Sequence, residues 1–78
     1  MNLEVLKEIV SEQLNVNMED IKLESNFIED LGADSLDLFE LAMAMEEKFE
    51  IEIPSEDLVE IKTVELAKQY IEEKLKNK

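Results

Sequence analysis

A chain with no histidine and no cysteine has few ways to do chemistry on its own account. The residue best placed for any is Ser35, in Leu31-Gly32-Ala33-Asp34-Ser35-Leu36-Asp37, a lone hydroxyl where a turn hands over to a strongly patterned helix. As a nucleophile it would need a nearby base and a stabiliser for the oxyanion. Neither a histidine nor a convincing serine–lysine arrangement is available, so no catalytic residue is assigned. The surrounding carboxylates read as a solvated face rather than as an acid–base pair of defined geometry. Asp30, Gly32 and Asp34 do not fit the calcium-loop spacing, in which glycine follows several alternating oxygen ligands, and no metal site is assigned either. Two roles for Ser35 remain. It is a natural helix N-cap. It is also a good place to hold a phosphate, because free backbone N–H groups and the helix dipole both favour an anion there.

The elements that must position Ser35 follow from periodicity and punctuation. The first helix is expected from about Asn2, a good N-cap, to Leu14, with Leu6, Ile9, Val10 and Leu14 on one face. A long connection then runs to about residue 34. It contains a short capped turn at Asn17-Met18-Glu19-Asp20, with Ile21, Leu23, Phe27, Ile28 and Leu31 expected to pin it to the core. A connection of that length usually has a functional reason. Gly32 supplies the turn before the second helix, Asp34 or Ser35 caps it, and it runs to about Phe49. Glu50-Ile51-Glu52-Ile53 alternates like a strand but is short and ends at Pro54, so it reads as an extended link. Pro54-Ser55-Glu56-Asp57 starts a short helix reaching about Glu60. Thr63 caps a last helix to about Leu75, with Val64, Ala67, Ile71 and Leu75 inward, Tyr70 beside them, and Lys74, Lys76 and Lys78 at its negative end. The expected fold is all-α: one domain over residues 1–78, a small bundle of three longer helices plus one short helix, with a long loop between the first and second helices.

At about 100° per residue the second helix separates into two apolar stripes. Leu38, Leu41, Ala42, Met45 and Phe49 form a core face. Leu36, Phe39 and Met43 lie on the opposite side, interleaved with Glu40, Glu46 and Glu47. Either Phe39 or Met43 tucks under the long loop as ordinary core, or the second stripe is a docking surface of apolar anchors ringed by carboxylates. In the second case the anchors supply affinity, and the acids set encounter rate and orientation toward a basic partner. Lys48 falls nearer the core edge, on the side of Asp37.

Composition narrows the classes. The net charge is -13, and residues 23–61 hold 13 of the 21 acidic residues against one base, Lys48. Such a field repels nucleic acid and anionic membranes and steers basic surfaces inward, although acidity also simply keeps a small protein soluble. Seventy-eight residues lie near the lower limit for a self-supporting core. No apolar run is long enough to span a membrane, and Met1-Asn2-Leu3-Glu4 lacks the build of a signal peptide. A cytoplasmic monomer is expected.

The fuller string Phe27-Ile28-Glu29-Asp30-Leu31-Gly32-Ala33-Asp34-Ser35-Leu36-Asp37 resembles the Asp-Ser-Leu signature of acyl carrier proteins. The downstream Glu40-Leu41, Met43, Glu46-Glu47, Phe49, Ile53-Pro54 and Thr63-Val64 are similar to the same family, in particular to the discrete carriers of bacterial-type fatty-acid synthesis. The resemblance covers essentially the whole chain. It implies that a separate phosphopantetheinyl transferase attaches 4'-phosphopantetheine to Ser35, giving this cysteine-free chain a thiol on which acyl groups ride as thioesters. It implies that Asp34, Leu36, Asp37, Phe39, Glu40, Met43, Glu46 and Glu47 meet the basic surfaces of fatty-acid synthesis enzymes. It also implies that growing chains shelter inside the bundle, with Leu41, Met45, Ile53 and Ala67 as candidate walls; methionine's pliability suits a core that must open. Two positions depart from the pattern: Lys48 stands where an acid is common, and Leu38 where a polar residue is frequent. A carrier for a specialised pathway such as polyketide synthesis, or an acidic adaptor working without the arm, are the alternatives.

Overall fold

Apolar residues at helical spacing need a common interior, and three amphipathic segments find it in one another. The computed structural model describes residues 3–77. Helix α1 (Leu3–Leu14) is followed by a 3-10 turn, η1 (Met18–Asp20), then α2 (Ser35–Phe49), a 3-10 helix, η2 (Ser55–Glu60), and α3 (Val64–Lys76). The expected bundle of three longer helices and a short one is borne out. The expected cap at Asn2 lies outside the described residues, as does Lys78. Residues 51–54 are extended without pairing, as their shortness and Pro54 foretold. The sole bridge among the described residues joins Asn26 to Thr63.

The core takes Leu6 and Val10 from α1, Leu41, Ala42 and Met45 from α2, and Val64, Ala67 and Ile71 from α3. Ile21, Phe27, Ala33, Ile53 and Ile61 from the connections complete it. At about 1.5–3 kcal/mol for each fully buried large apolar side chain, this interior is the main force holding a domain of this size together.

The 20-residue passage between α1 and α2 is ordered because its backbone groups have partners. The N–H groups at the start of α3 have no intrahelical acceptors, and the loop supplies them. Glu65 N–H donates to the Leu23 carbonyl at 2.9 Å and Val64 N–H to the Ser25 carbonyl at 3.1 Å. Thr63 Oγ1 takes the third, accepting from Leu66 N–H at 3.2 Å. Phe27 N–H donates in turn to the Lys62 carbonyl at 3.0 Å. Ile21 and Phe27 are therefore buried as expected and Leu31 packs at the core's edge. Leu23 and Ile28, expected to pin the loop, are instead exposed. The attachment at Leu23 is made by its carbonyl rather than its side chain. Asn17 precedes η1 as expected, but its side chain makes no capping hydrogen bond.

Helix ends show which residues the chain spent on conformation. Asn15 closes α1 at φ 56° and Glu50 closes α2 at φ 55°. Asparagine tolerates the left-handed region; glutamate is strained there. Gly32 has φ +76°, and a Cβ there would meet nothing within 4 Å, so backbone conformation and not space asks for glycine. Farther on, Tyr70 Oη donates to Asp57 Oδ2 at 2.5 Å and ties α3 to η2. Partial burial, and next the Asp57 carboxylate, push the Tyr70 phenol well above its ordinary range. The Lys74 ammonium sits 5.4 Å from the same ring, close enough for a cation–π attraction.

Candidate functional site

Ser35 is brought to the surface by a knot of hydrogen bonds around Asn26. The Asn26 side-chain carbonyl accepts from Ile28 N–H at 3.0 Å and from Glu29 N–H at 2.9 Å. Its own N–H donates to Asp30 Oδ2 at 2.7 Å. Its backbone carbonyl accepts from Asp30 at 2.9 Å and Leu31 at 3.1 Å. The chain then turns at Gly32, and Ala33 N–H returns to the Phe27 carbonyl at 2.8 Å. Sequence reasoning passed over Asn26 and weighed Asp30 only as a metal ligand. The signal was there: an asparagine followed by acids three and four residues on is the pattern of a side chain closing a local turn.

The cap of α2 is Asp34, not Ser35. Asp34 Oδ1 accepts from Asp37 N–H at 2.8 Å, and Asp37 Oδ2 accepts from Asp34 N–H at 3.1 Å. This is a reciprocal capping box. Asp34 can do this because its backbone is extended at φ -107°, ψ -174°, whereas Ser35 is already the first helical residue. Released from capping, the exposed Ser35 hydroxyl has no hydrogen-bond partner among the described residues. The amides of Ser35 and Leu36, the first two of the helix, likewise have none. An exposed free hydroxyl beside two free N–H donors at the positive end of a 15-residue helix suits a phosphate ester.

The second stripe of α2 faces outward. Leu36 is 64% exposed, Phe39 46% and Met43 54%; neither Phe39 nor Met43 is folded under the loop. Glu40 and Glu47 are exposed beside them, and Asp34 lies at the head of the helix. Three of the acids have structural duties, Asp34 as the cap just described. Asp37 completes the capping box, and the half-buried Glu46 accepts from Ile53 N–H through Oε2 at 2.9 Å, fastening the 51–54 link to α2. Lys48 lines a shallow groove against α1 with Val5, Glu8 and Glu12, away from this stripe.

Beside Ser35 a cleft of about 550 Å³ opens between the Asn26 turn, α2 and η2, lined in part by Ile28, Leu38, Leu58, Val59 and Ile61. Leu41, Met45, Ile53 and Ala67 are all buried in the common core. Of these four, Ile53 borders a smaller hollow of about 70 Å³ with Phe39, Ala42, Met43 and Leu58. The cleft residues were missed from sequence because they come from three separated segments.

Residues 4–71 match the family model described as phosphopantetheine attachment site. A protein of Wolinella succinogenes named acyl carrier protein is 63% identical over 67 residues, covering 86% of this chain and 88% of that protein. One of Bdellovibrio bacteriovorus with the same name is 54% identical over 69 residues, covering 88% of each. The chain belongs to the acyl carrier protein family. As an acyl carrier protein it is a carrier and not a catalyst, and its prosthetic group is 4'-phosphopantetheine. No helix among the described residues of this acyl carrier protein is long and apolar enough to cross a membrane.

Proposed function

We propose that Ser35 is the attachment residue and that residues 1–78 act as one carrier domain presenting acyl thioesters to the enzymes of fatty-acid synthesis. The observation that carries the assignment is the unpartnered Ser35 hydroxyl beside two unpartnered amides. A separate phosphopantetheinyl transferase supplies the base and the metal. The Ser35 oxygen attacks the phosphorus that bears the pantetheine in coenzyme A, a serine O–P bond forms, and the pyrophosphate P–O bond breaks. The adenosine bisphosphate leaves, and the serine proton passes to the transferase. When bound, the prosthetic group supplies a thiol for thioester formation. The chain's own contribution is to hold the phosphate at a helix N-terminus and to offer a docking face.

That face is the stripe of Leu36, Phe39 and Met43 with Asp34, Asp37, Glu40, Glu46 and Glu47, which fits partners with basic surfaces. Burying three half-exposed apolar side chains accounts for affinity at about 25 cal/mol per Å² removed from water. The exposed acids accelerate encounter and fix orientation. The walls Leu41, Met45, Ile53 and Ala67 would bound a sheltered acyl chain on its core side. The protein works as a cytoplasmic monomer in this reading.

Incubation with coenzyme A and a phosphopantetheinyl transferase should add one phosphopantetheine by mass, and Ser35→Ala should abolish it while leaving the fold intact. A parent chain that stays unmodified under conditions that load a control carrier overturns the assignment. The exposed stripe on its own also suits an acidic adaptor without the arm; normal partner binding in cells by Ser35→Ala would favour that second reading.

A further inference from the structure

Two hollows lie along α2, and Leu58 borders both. The larger, about 550 Å³, opens beside Ser35. The smaller, about 70 Å³, lies farther along the helix between Phe39, Met43 and Ile53, with Glu46 at its edge. Leu58 is half-buried on η2 and wholly aliphatic. Among the described residues it is the one that lines both spaces.

We infer that Leu58 sets the length of acyl chain this carrier shelters. The inference rests on attachment at Ser35. An apolar chain on a flexible tether there gains about 0.8 kcal/mol for each methylene it withdraws from water, and the cleft at the tether's root offers an apolar lining. A short chain ends against Leu58. A longer one must turn the Leu58 side chain aside and then enters the smaller hollow. That space holds about two groups the size of a water molecule, at roughly 30 Å³ each. Beyond it stands the Glu46 carboxylate, already bound to Ile53 N–H at 2.9 Å. Burying a methylene chain against that charged group strips it of water without offering a hydrogen bond in return, so it forms a polar stop. Leu58 is thus the adjustable boundary and Glu46 the fixed one.

The test loads the parent, Leu58→Ala and Leu58→Phe with saturated acyl groups from butyryl to lauroyl, using acyl-coenzyme A and a phosphopantetheinyl transferase, with loading checked by mass. Two properties are read: the rate of thioester cleavage by hydroxylamine relative to the same thioester on free pantetheine, and the melting temperature. In the parent, protection should rise with chain length and then level off. Leu58→Ala should move that plateau to chains about two carbons longer, the capacity of the smaller hollow; Leu58→Phe should move it to shorter ones. The phenylalanine variant keeps apolar bulk at the site, so loss of folding in the alanine variant does not decide the matter. Loaded proteins with one common length profile overturn the role of Leu58 alone. Failure of the parent to load at all overturns the Ser35 assignment and this inference with it.

Discussion

Replacing Asp34 separates two jobs that the same carboxylate performs. One is geometric: Oδ1 holds Asp37 N–H at 2.8 Å and the Asp37 side chain returns the bond at 3.1 Å, so two donors at the head of α2 depend on the box. The other is electrostatic, a negative charge at a helix N-terminus and at the rim of the proposed docking face. Removing a good N-cap costs about 1 kcal/mol, and the charge–dipole attraction at an exposed site adds a few tenths. Asp34→Ala should therefore lose about 1.5 kcal/mol, which in a domain of this size lowers the melting temperature by about 6–12 °C. Asparagine caps as well as aspartate, so Asp34→Asn should lose only the dipole part, about 0.5 kcal/mol, or about 2–4 °C. Asp37→Ala opens the same box, and the double alanine variant should fall short of additivity by at least about 0.5 kcal/mol. Urea and thermal unfolding give the stabilities, and the transferase's rate at low salt gives the electrostatic part. That rate should drop in both Asp34 variants alike, and the drop should fade as salt is raised. Equal melting of the alanine and asparagine variants would refute the geometric reasoning. A transferase rate untouched by either would refute the electrostatic one.

Other perturbations test the frame around the site. Glu50→Gly should relieve the left-handed conformation at φ 55° and raise stability by about 1 kcal/mol, or about 4–8 °C in melting temperature. Tyr70→Phe removes the hydrogen bond to Asp57 that ties α3 to η2 and should cost about 1 kcal/mol near neutral pH in urea titrations. Because folding raises the Tyr70 pKa, that contribution is fully present below the unfolded value of about 10 and is lost as pH climbs above it. Parent and variant should then converge in strongly alkaline solution, and a gap that widens there would contradict the assignment.

Much of this molecule is legible in one dimension because helices encode their own environment. The spacing of Leu6 and Val10, of Leu41, Ala42 and Met45, and of Val64, Ala67 and Ile71 marks three buried faces. The second stripe of Leu36, Phe39 and Met43 marks a face with nothing in the chain to bury it, and the absence of histidine and cysteine leaves Ser35 without the partner a catalytic serine needs. These are local or periodic properties, carried by residues a turn apart. The tertiary structure alone decided the rest. Whether Asp34 or Ser35 caps α2 depended on which residue the Asn26 turn leaves extended. Leu23 and Ile28 face outward because the loop is held by carbonyls that cap α3, and no side-chain pattern reports where a backbone carbonyl points. That Glu46 also fastens the link after α2, by accepting from the Ile53 amide, is decided by where that link folds back. The cleft beside Ser35 belongs to no segment. It exists because the Asn26 turn, the head of α2 and η2 converge, and convergence of distant segments follows from packing, which has no periodicity to read.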